Sequence, residues 1–406
     1  MPAIDTGDTA WLIVATALVL FMTPGLAFFY GGLVRGRNAV STIMFSFMTM
    51  AVVSVVWVLW GYSLAFGEGN AWIGDLSAVR LSGIGIHSVS GTIPTLLFVA
   101  FQMMFAIITP ALITGAIVER FKFTTYLVFL VLWVTFVYAP IAHWVWAPTG
   151  WLFIMGALDF AGGTVVHINA AVAAVVAAMV VGKRQYPGIE PHNVPYVVLG
   201  AGILWFGWFG FNAGSALASS GLAVNALLVT NTAAAAGALI WAVLSQVSNR
   251  RMSAVGAATG AVAGLVAITP ASGFVDVTGA LAIGLGAGGL GYFAVLFRPK
   301  TGLDDSLDVF SVHGIGGIWG ALATGIFAVE AIGGKPGLLE GNPAQLWVQF
   351  VAVAATVVYS GVATLVIVKV LQFIPGLGIR ATESDEAIGL DLTAHGERAY
   401  VQDGAD

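Results

Sequence analysis

Pro94-Thr-Leu-Leu-Phe-Val-Ala-Phe-Gln-Met-Met-Phe-Ala-Ile-Ile-Thr-Pro-Ala-Leu-Ile-Thr-Gly-Ala-Ile-Val118 carries no charge and ends against Glu119-Arg-Phe-Lys122. As a helix it would be about 37 Å long, longer than the roughly 30 Å of hydrocarbon in a bilayer. Similar runs recur along the whole chain. Eleven of them read as membrane helices, at about 11–33, 41–66, 94–118, 123–146, 163–182, 195–216, 223–245, 254–271, 276–296, 308–331 and 347–373. The composition requires the same answer. Of 406 residues 59% are hydrophobic and 9% charged, against about a quarter charged in soluble domains. Lipid forces the backbone to satisfy its own hydrogen bonds, and no alternating barrel strands are evident, so the fold is all-α.

The basic residues orient the bundle. With eleven crossings, all fifteen Lys and Arg except Arg80 and Lys335 fall on one side. Basic loops stay in the cytoplasm, so the N-terminus is expected outside and a polar tail, 374–406, inside. Residues 1–373 form the membrane domain. Met1 to Asp8 is polar and acidic, without the basic start of a cleavable signal, so the first run reads as a spanning helix. The absence of cysteine excludes disulfides and thiolate chemistry.

Two histidines stand out. His167 lies in the fifth run, eight residues past Asp159, and that run enters from outside. His313 lies in the tenth run, five residues past Asp308, and that run enters from the cytoplasm. At 1.5 Å per residue they reach about 12 Å and 8 Å inward from opposite faces. Two five-helix halves of inverted topology, with one further helix at the end, account for this. Intramembrane histidines read as functional by default; a helix–helix hydrogen bond is the plainer role for either alone. Gly162, Gly163, Gly314, Gly316, Gly317 and Gly320 surround the pair, as close helix packing requires. His143, near the outer end of the fourth run, reads as structural.

Depth alone also assembles an outer mouth. Trp146 ends the fourth run, and Ser215 lies about twenty residues into the sixth. Trp208, Phe211 and Ser215 share one helical face, as do Phe101 and Phe105 on the third run. An inward traveller meets Trp146 and Ser215, then Phe105 and Phe211, then the histidines. Ring faces attract a small cation and a hydroxyl accepts its hydrogen bond; an interfacial aromatic belt is the plainer alternative. Asp159 reads as a helix N-cap, a buried charge that favours a cation, or both.

These residues carry a resemblance. Pro24-Gly-Leu-Ala-Phe-Phe-Tyr-Gly-Gly-Leu-Val-Arg35, Phe101-Gln-Met-Met-Phe105, Tyr138-Ala-Pro-Ile-Ala-His-Trp-Val-Trp146, Asp159-Phe-Ala-Gly-Gly-Thr-Val-Val-His-Ile168, Trp208-Phe-Gly-Phe-Asn-Ala-Gly-Ser215 and Asp304-Asp-Ser-Leu-Asp-Val-Phe-Ser-Val-His-Gly314 run nearly end to end. Together they resemble the ammonium transporter (Amt/Mep/Rh) family, on its prokaryotic Amt side. The resemblance implies a homotrimer in the plasma membrane that takes up ammonium as a nitrogen source, with one pore per subunit and no enzyme activity. It implies an outer ammonium site at Trp146, Phe101, Phe105 and Ser215, and a phenylalanine gate at Phe105 and Phe211. His167 and His313 would be the twin-histidine proton relay, Asp159 the buried acid, and Tyr138 and Trp208 supporting aromatics. The cation would be captured outside, deprotonated, and conducted as ammonia with net charge movement. No metal or other cofactor is implied. The tail, with Gly376–Arg380 and Gly389-Leu-Asp-Leu-Thr-Ala-His-Gly-Glu-Arg-Ala-Tyr400, looks like the family's regulatory segment, which meets a PII signal protein. One stretch departs from the pattern: 147–158 has Pro148 and Trp151 where a glycine-rich run is expected. An ammonium sensor, a neutral-gas channel and a haem protein are the alternatives.

Overall fold

The computed structural model describes residues 4–186 and 190–400. Residues 401–406 of the expected tail lie outside this range. Eleven helices cross or nearly cross the thickness of a bilayer. We number them α1 (Thr6–Leu33), α2 (Gly36–Phe66), α3 (Thr95–Ile117), α4 (123–146), α5 (Gly163–Val181), α6 (Val194–Gly214), α7 (Gly221–Asn249), α8 (Ala254–Ile268), α9 (Val277–Thr301), α10 (Phe310–Phe327) and α11 (Pro343–Phe373). Ten of the described helical segments are long and apolar enough to span; the fourth of these extends past α4, as Phe123–Met155. α8 is shorter, at about 22 Å, because Pro270 follows it within a turn. The sequence boundaries differ from these by a few residues at most ends. Outward-facing side chains such as Phe47, Val55, Phe136, Val358 and Phe373 are exposed and apolar, as a lipid-facing surface requires.

The two halves are inverted copies that exchange contacts. α1 packs along α6, the first helix of each half. Phe160, in the loop before α5, donates its N–H to Pro270 at the end of α8 (3.1 Å). Leu307, in the loop before α10, donates to Gly115 near the end of α3 (3.0 Å). The third helix of each half thus receives the loop that opens the fifth helix of the other. Both fifth helices then begin with a wide, π-helical turn, Gly163–Ile168 and Phe310–Gly314, and each turn carries its histidine. Such turns displace a side chain from the regular helical ladder and recur at functional sites.

At the basic end of the bundle, charges are buried in matched sets. Arg120 is fully buried and donates to the carbonyls of Gly182 (2.7 Å) and Asp304 (2.6 Å) and to the Ser306 hydroxyl (2.7 Å). Arg184 pairs with Asp304 (2.6 Å) and Glu119 (3.2 Å), and Glu119 also receives Arg35 (3.0 Å). This cluster ties the end of α3 and the end of α5 to the start of α10. Burial pushes the Asp304 carboxyl up, but the Arg184 hydrogen bonds and the arginine charges outweigh it and hold the group at about 2. A depressed acid stabilises the fold above its ordinary value near 4 and ceases to do so as pH falls toward 2. Breaking such a buried pair costs about 3–5 kcal/mol. Asp304→Asn is therefore expected to melt well below the wild type at pH 6. The gap should close between about pH 4 and 2 in a detergent melting series.

The chain after α11 folds back onto this cluster. Ala381 donates to the Arg120 carbonyl (2.9 Å), and Arg380 bonds both Glu386 and the Val181 carbonyl at the end of α5. Two short helices follow, α12 (Glu383–Ile388) and α13 (Leu390–His395). The Asp391 carboxylate accepts from Ser41 N–H (2.7 Å), and Asn38 accepts from Leu390 N–H (2.8 Å).

Candidate functional site

The centre of the site is the meeting of the two wide turns. His167 and His313 face each other with ring centroids 5.3 Å apart and their Nδ1 atoms 3.3 Å apart. One Nδ1 donates and the other accepts, so the pair shares a single proton across this contact. Both rings are buried. His167 Nε2 has no hydrogen-bond partner among the described residues, which is rare for a buried polar atom and marks a place for a polar guest. Gly317 lets α10 come this close: a Cβ there would lie 3.3 Å from that of His167. The Nδ1 separation is shorter than the roughly 4 Å between two nitrogens on opposite sides of one metal ion, each at about 2.0 Å. The pair is thus not set to sandwich a haem iron.

Above the histidines the aromatics form a continuous stack. Trp208 and Phe211 stack near the His167 ring with centroids at 5.4 and 6.1 Å and planes inclined by 27° and 29°. Phe105 stacks on Phe211 with centroids 4.3 Å apart. Phe101 and Trp146 each meet Phe105 edge-on, at 5.0 and 5.7 Å. The Trp208 indole N–H donates to Thr269 (2.8 Å), which fixes its plane. Tyr138 is fully buried, its ring centre 6.1 Å from that of Trp57, and its hydroxyl finds no partner among the described residues. Below the stack is a narrow void of about 10 Å³, near the smallest space that holds one water. Met22, Leu26, Ile108 and Leu112 line it with the two histidines. His313 also borders a vestibule of about 640 Å³ that opens at the basic end, among Lys183, Arg184, Asp304 and Asp308.

Asp159 shapes the outer wall. Its carboxylate accepts the backbone N–H groups of Gly162 (2.8 Å), Gly163 (2.6 Å), Thr164 (2.8 Å) and Val165 (3.3 Å), and the Thr164 hydroxyl. The cap is therefore its structural role. Gly162 has φ +116°, which a side chain would strain, and a Cβ on Gly163 would meet Pro270 at 2.6 Å. The Asp159 carbonyl receives the Trp146 indole N–H (2.9 Å), so the cap also aims Trp146. Ser215 is not inside α6 as its position implied. It follows Gly214, the last helical residue, and donates its hydroxyl proton to the Phe211 carbonyl (2.8 Å). The oxygen lone pairs remain free for a donor. Phe101 packs against Gly214, where an added Cβ would be 2.9 Å from its ring, so Ser215 sits beside the aromatic stack.

The divergent stretch 147–158 forms a short helix, Trp151–Met155, whose indole packs on Trp72 and Trp144. His143 bridges the carbonyls of Ala65 (3.0 Å) and Asn70 (2.6 Å), the structural part expected of it. A second carboxylate has the role of Asp159. Asp305 is buried and accepts the N–H groups of Val309 (3.0 Å) and Phe310 (2.7 Å), capping the His313 turn as Asp159 caps the His167 turn. The spacing was there to be read: 167 − 159 and 313 − 305 are both eight. Asp308 lies outside the helix, on left-handed backbone, paired with Arg298.

Comparison with known proteins supplies the family. Residues 10–400 match the Ammonium Transporter Family. The chain belongs to the ammonium transporter family. It is 50% identical over 401 residues to an ammonium transporter of Bacillus subtilis, covering 97% of this chain and 98% of that one. With the ammonium transporter Amt1 of Archaeoglobus fulgidus it shares 47% over 399 residues, 97% and 99% of the two chains. The fold superposes on the crystal structure of Saccharomyces cerevisiae Mep2 with a TM-score of 0.91 at 36% identity, over 99% of this chain and 93% of that one. Higher identity to the bacterial and archaeal chains than to the yeast one places it on the prokaryotic side of the family. These relatives are transporters by name, not enzymes.

Proposed function

We propose that the protein takes up ammonium through a pore in each subunit, stripping a proton above the phenylalanine stack and passing ammonia beside His167 and His313. The observation that carries this reading is the 3.3 Å contact of two buried imidazoles inside an otherwise apolar slit. Amines of this kind hold their proton to a pKa of about 10, so at pH 7 deprotonation costs roughly 4 kcal/mol. A bare cation in a dry passage costs several kcal/mol or more. A site that receives the proton therefore makes the neutral route preferable. Imidazoles in contact suit that task, since each presents a donor and an acceptor nitrogen.

In this reading Trp146, Phe101, Phe105 and Ser215 hold the cation outside: ring faces attract it, and the Ser215 oxygen accepts its hydrogen bond. Phe105 and Phe211 form the gate. Asp159 acts by capping and by aiming Trp146, while Tyr138 and Trp208 support the walls. The proton crosses separately, so net charge moves. Ser215→Ala should raise the half-saturating ammonium concentration about 10- to 100-fold, the value of one hydrogen bond to a charged group. The maximal current should change little, as a concentration series on solid-supported membranes would record. The whole scheme is tested there by currents for ammonium, methylammonium and potassium. A current for ammonium with none for potassium supports it; equal currents, or none at all, refute it.

Family membership also supports a plasma-membrane homotrimer with the N-terminus outside. The tail's bonds to Arg120 and to the end of α5 support a regulatory segment open to a PII signal protein. Light scattering of the purified protein, and PII capture with and without residues 376–406, test these two readings.

A further inference from the structure

α5 and α9 both pack on the start of α10, and a cleft at the basic end is lined by all three. The cleft between them has a volume of about 620 Å³. Its walls are Ala178 and Met179 of α5 and Ala294 and Phe297 of α9, and Phe310 and Ile315 of α10 form its floor. Met179 and Phe297, at the lips, are 67% and 62% exposed, so the cleft opens sideways toward lipid.

The charges at its inner end do not cancel. Three acids stand there, and each already has partners: Asp304 pairs with Arg184, Asp305 accepts the N–H groups of Val309 and Phe310, and Asp308 holds Arg298. Lys183 lines the same cleft, is exposed, and makes no ion pair among the described residues. Lys300 is also exposed, and its amine lies 4.7 Å from the centre of the Phe297 ring at the lip. Two cations are left over where the helices end, the depth at which headgroups lie. An apolar slot of membrane depth that ends in two unmatched cations is complementary to an acyl chain attached to an anionic headgroup.

We propose that this cleft binds an anionic phospholipid, one acyl chain lying between α5 and α9 and the phosphate held by Lys183 and Lys300. The chain would rest on Phe310, which opens the π-helical turn that carries His313. Such a lipid would therefore support the position of that imidazole from behind.

Native mass spectrometry of the purified full chain, titrated with phosphatidylglycerol and with phosphatidylcholine, tests this. The wild type should bind one phosphatidylglycerol per subunit about tenfold more tightly than phosphatidylcholine. In Lys183→Gln/Lys300→Gln the preference should shrink to about twofold or less. Ala294→Phe keeps both lysines but fills the slot, and should lower the occupancy of both lipids by one per subunit. Equal affinity for the two lipids in the wild type, or wild-type lipid counts in both variants, overturns the proposal. So does an Ala294→Phe protein whose subunit assembly changes while its lipid binding does not, since a second copy would then be the occupant.

Discussion

In a protein carrying both His167→Ala and His313→Ala, the ammonium current falls by about two to four orders of magnitude, the scale of a lost acid–base pair. Of the side chains around the slit the two histidines and Trp208 carry nitrogen, and the indole N–H of Trp208 is taken by Thr269; Met22, Leu26, Ile108 and Leu112 offer none. With both histidines removed, the proton stripped from ammonium has no relay at mid-membrane, and ammonia has no partner for its own hydrogen bonds. The single variants should retain more, because each leaves one imidazole in the passage. Replacing either histidine by an acid should instead erode selectivity, since a fixed negative charge draws any small cation and potassium then competes with ammonium. Ammonium and potassium currents, normalised to the amount of folded protein, report both effects. A doubly substituted protein with undiminished, selective ammonium current would remove the relay from the mechanism.

Asp159→Ala should cost the fold before it costs the chemistry. The carboxylate accepts four backbone N–H groups and the Thr164 hydroxyl. Each buried donor left without an acceptor costs about 1–3 kcal/mol, and local relaxation recovers part of the sum. A loss of at least about 3 kcal/mol is expected, a large share of the margin of an ordinary protein. Detergent extraction should yield less folded protein, and it should melt at lower temperature. Asp159→Asn keeps one acceptor oxygen and should fall between the two. An Asp159→Ala protein as stable as the wild type, yet without current, would move the residue from cap to cation partner.

Much of this was legible in the chain. The eleven apolar runs were readable because lipid demands long, nearly uncharged segments and loop charges count the crossings. His167 and His313 were readable as a pair because depth along a helix follows from residue number. The aromatic stack was partly readable: Phe105 and Phe211 come to similar depth from helices that enter on opposite sides. Asp304, Asp305 and Asp308 all stand at the start of the tenth run, where a cap is expected, and the sequence does not choose among them. Only the hydrogen bonds reveal which carboxylate caps the turn. Ser215 was placed within α6, since nothing in Asn212-Ala-Gly-Ser215 marks which residue leaves the helix first.

By itself the sequence determined solvent, helix count and the presence of two imidazoles deep within their helices. These are one-dimensional quantities, sums of hydropathy and charge along a line. The tertiary structure decided what depends on angle and separation. It turned both histidines toward each other, closed them to 3.3 Å, and set Phe105 on Phe211 at 4.3 Å. Those outcomes rest on two π-helical turns and on glycines that admit a neighbouring helix, and a residue's number along the chain does not encode the direction in which its side chain points.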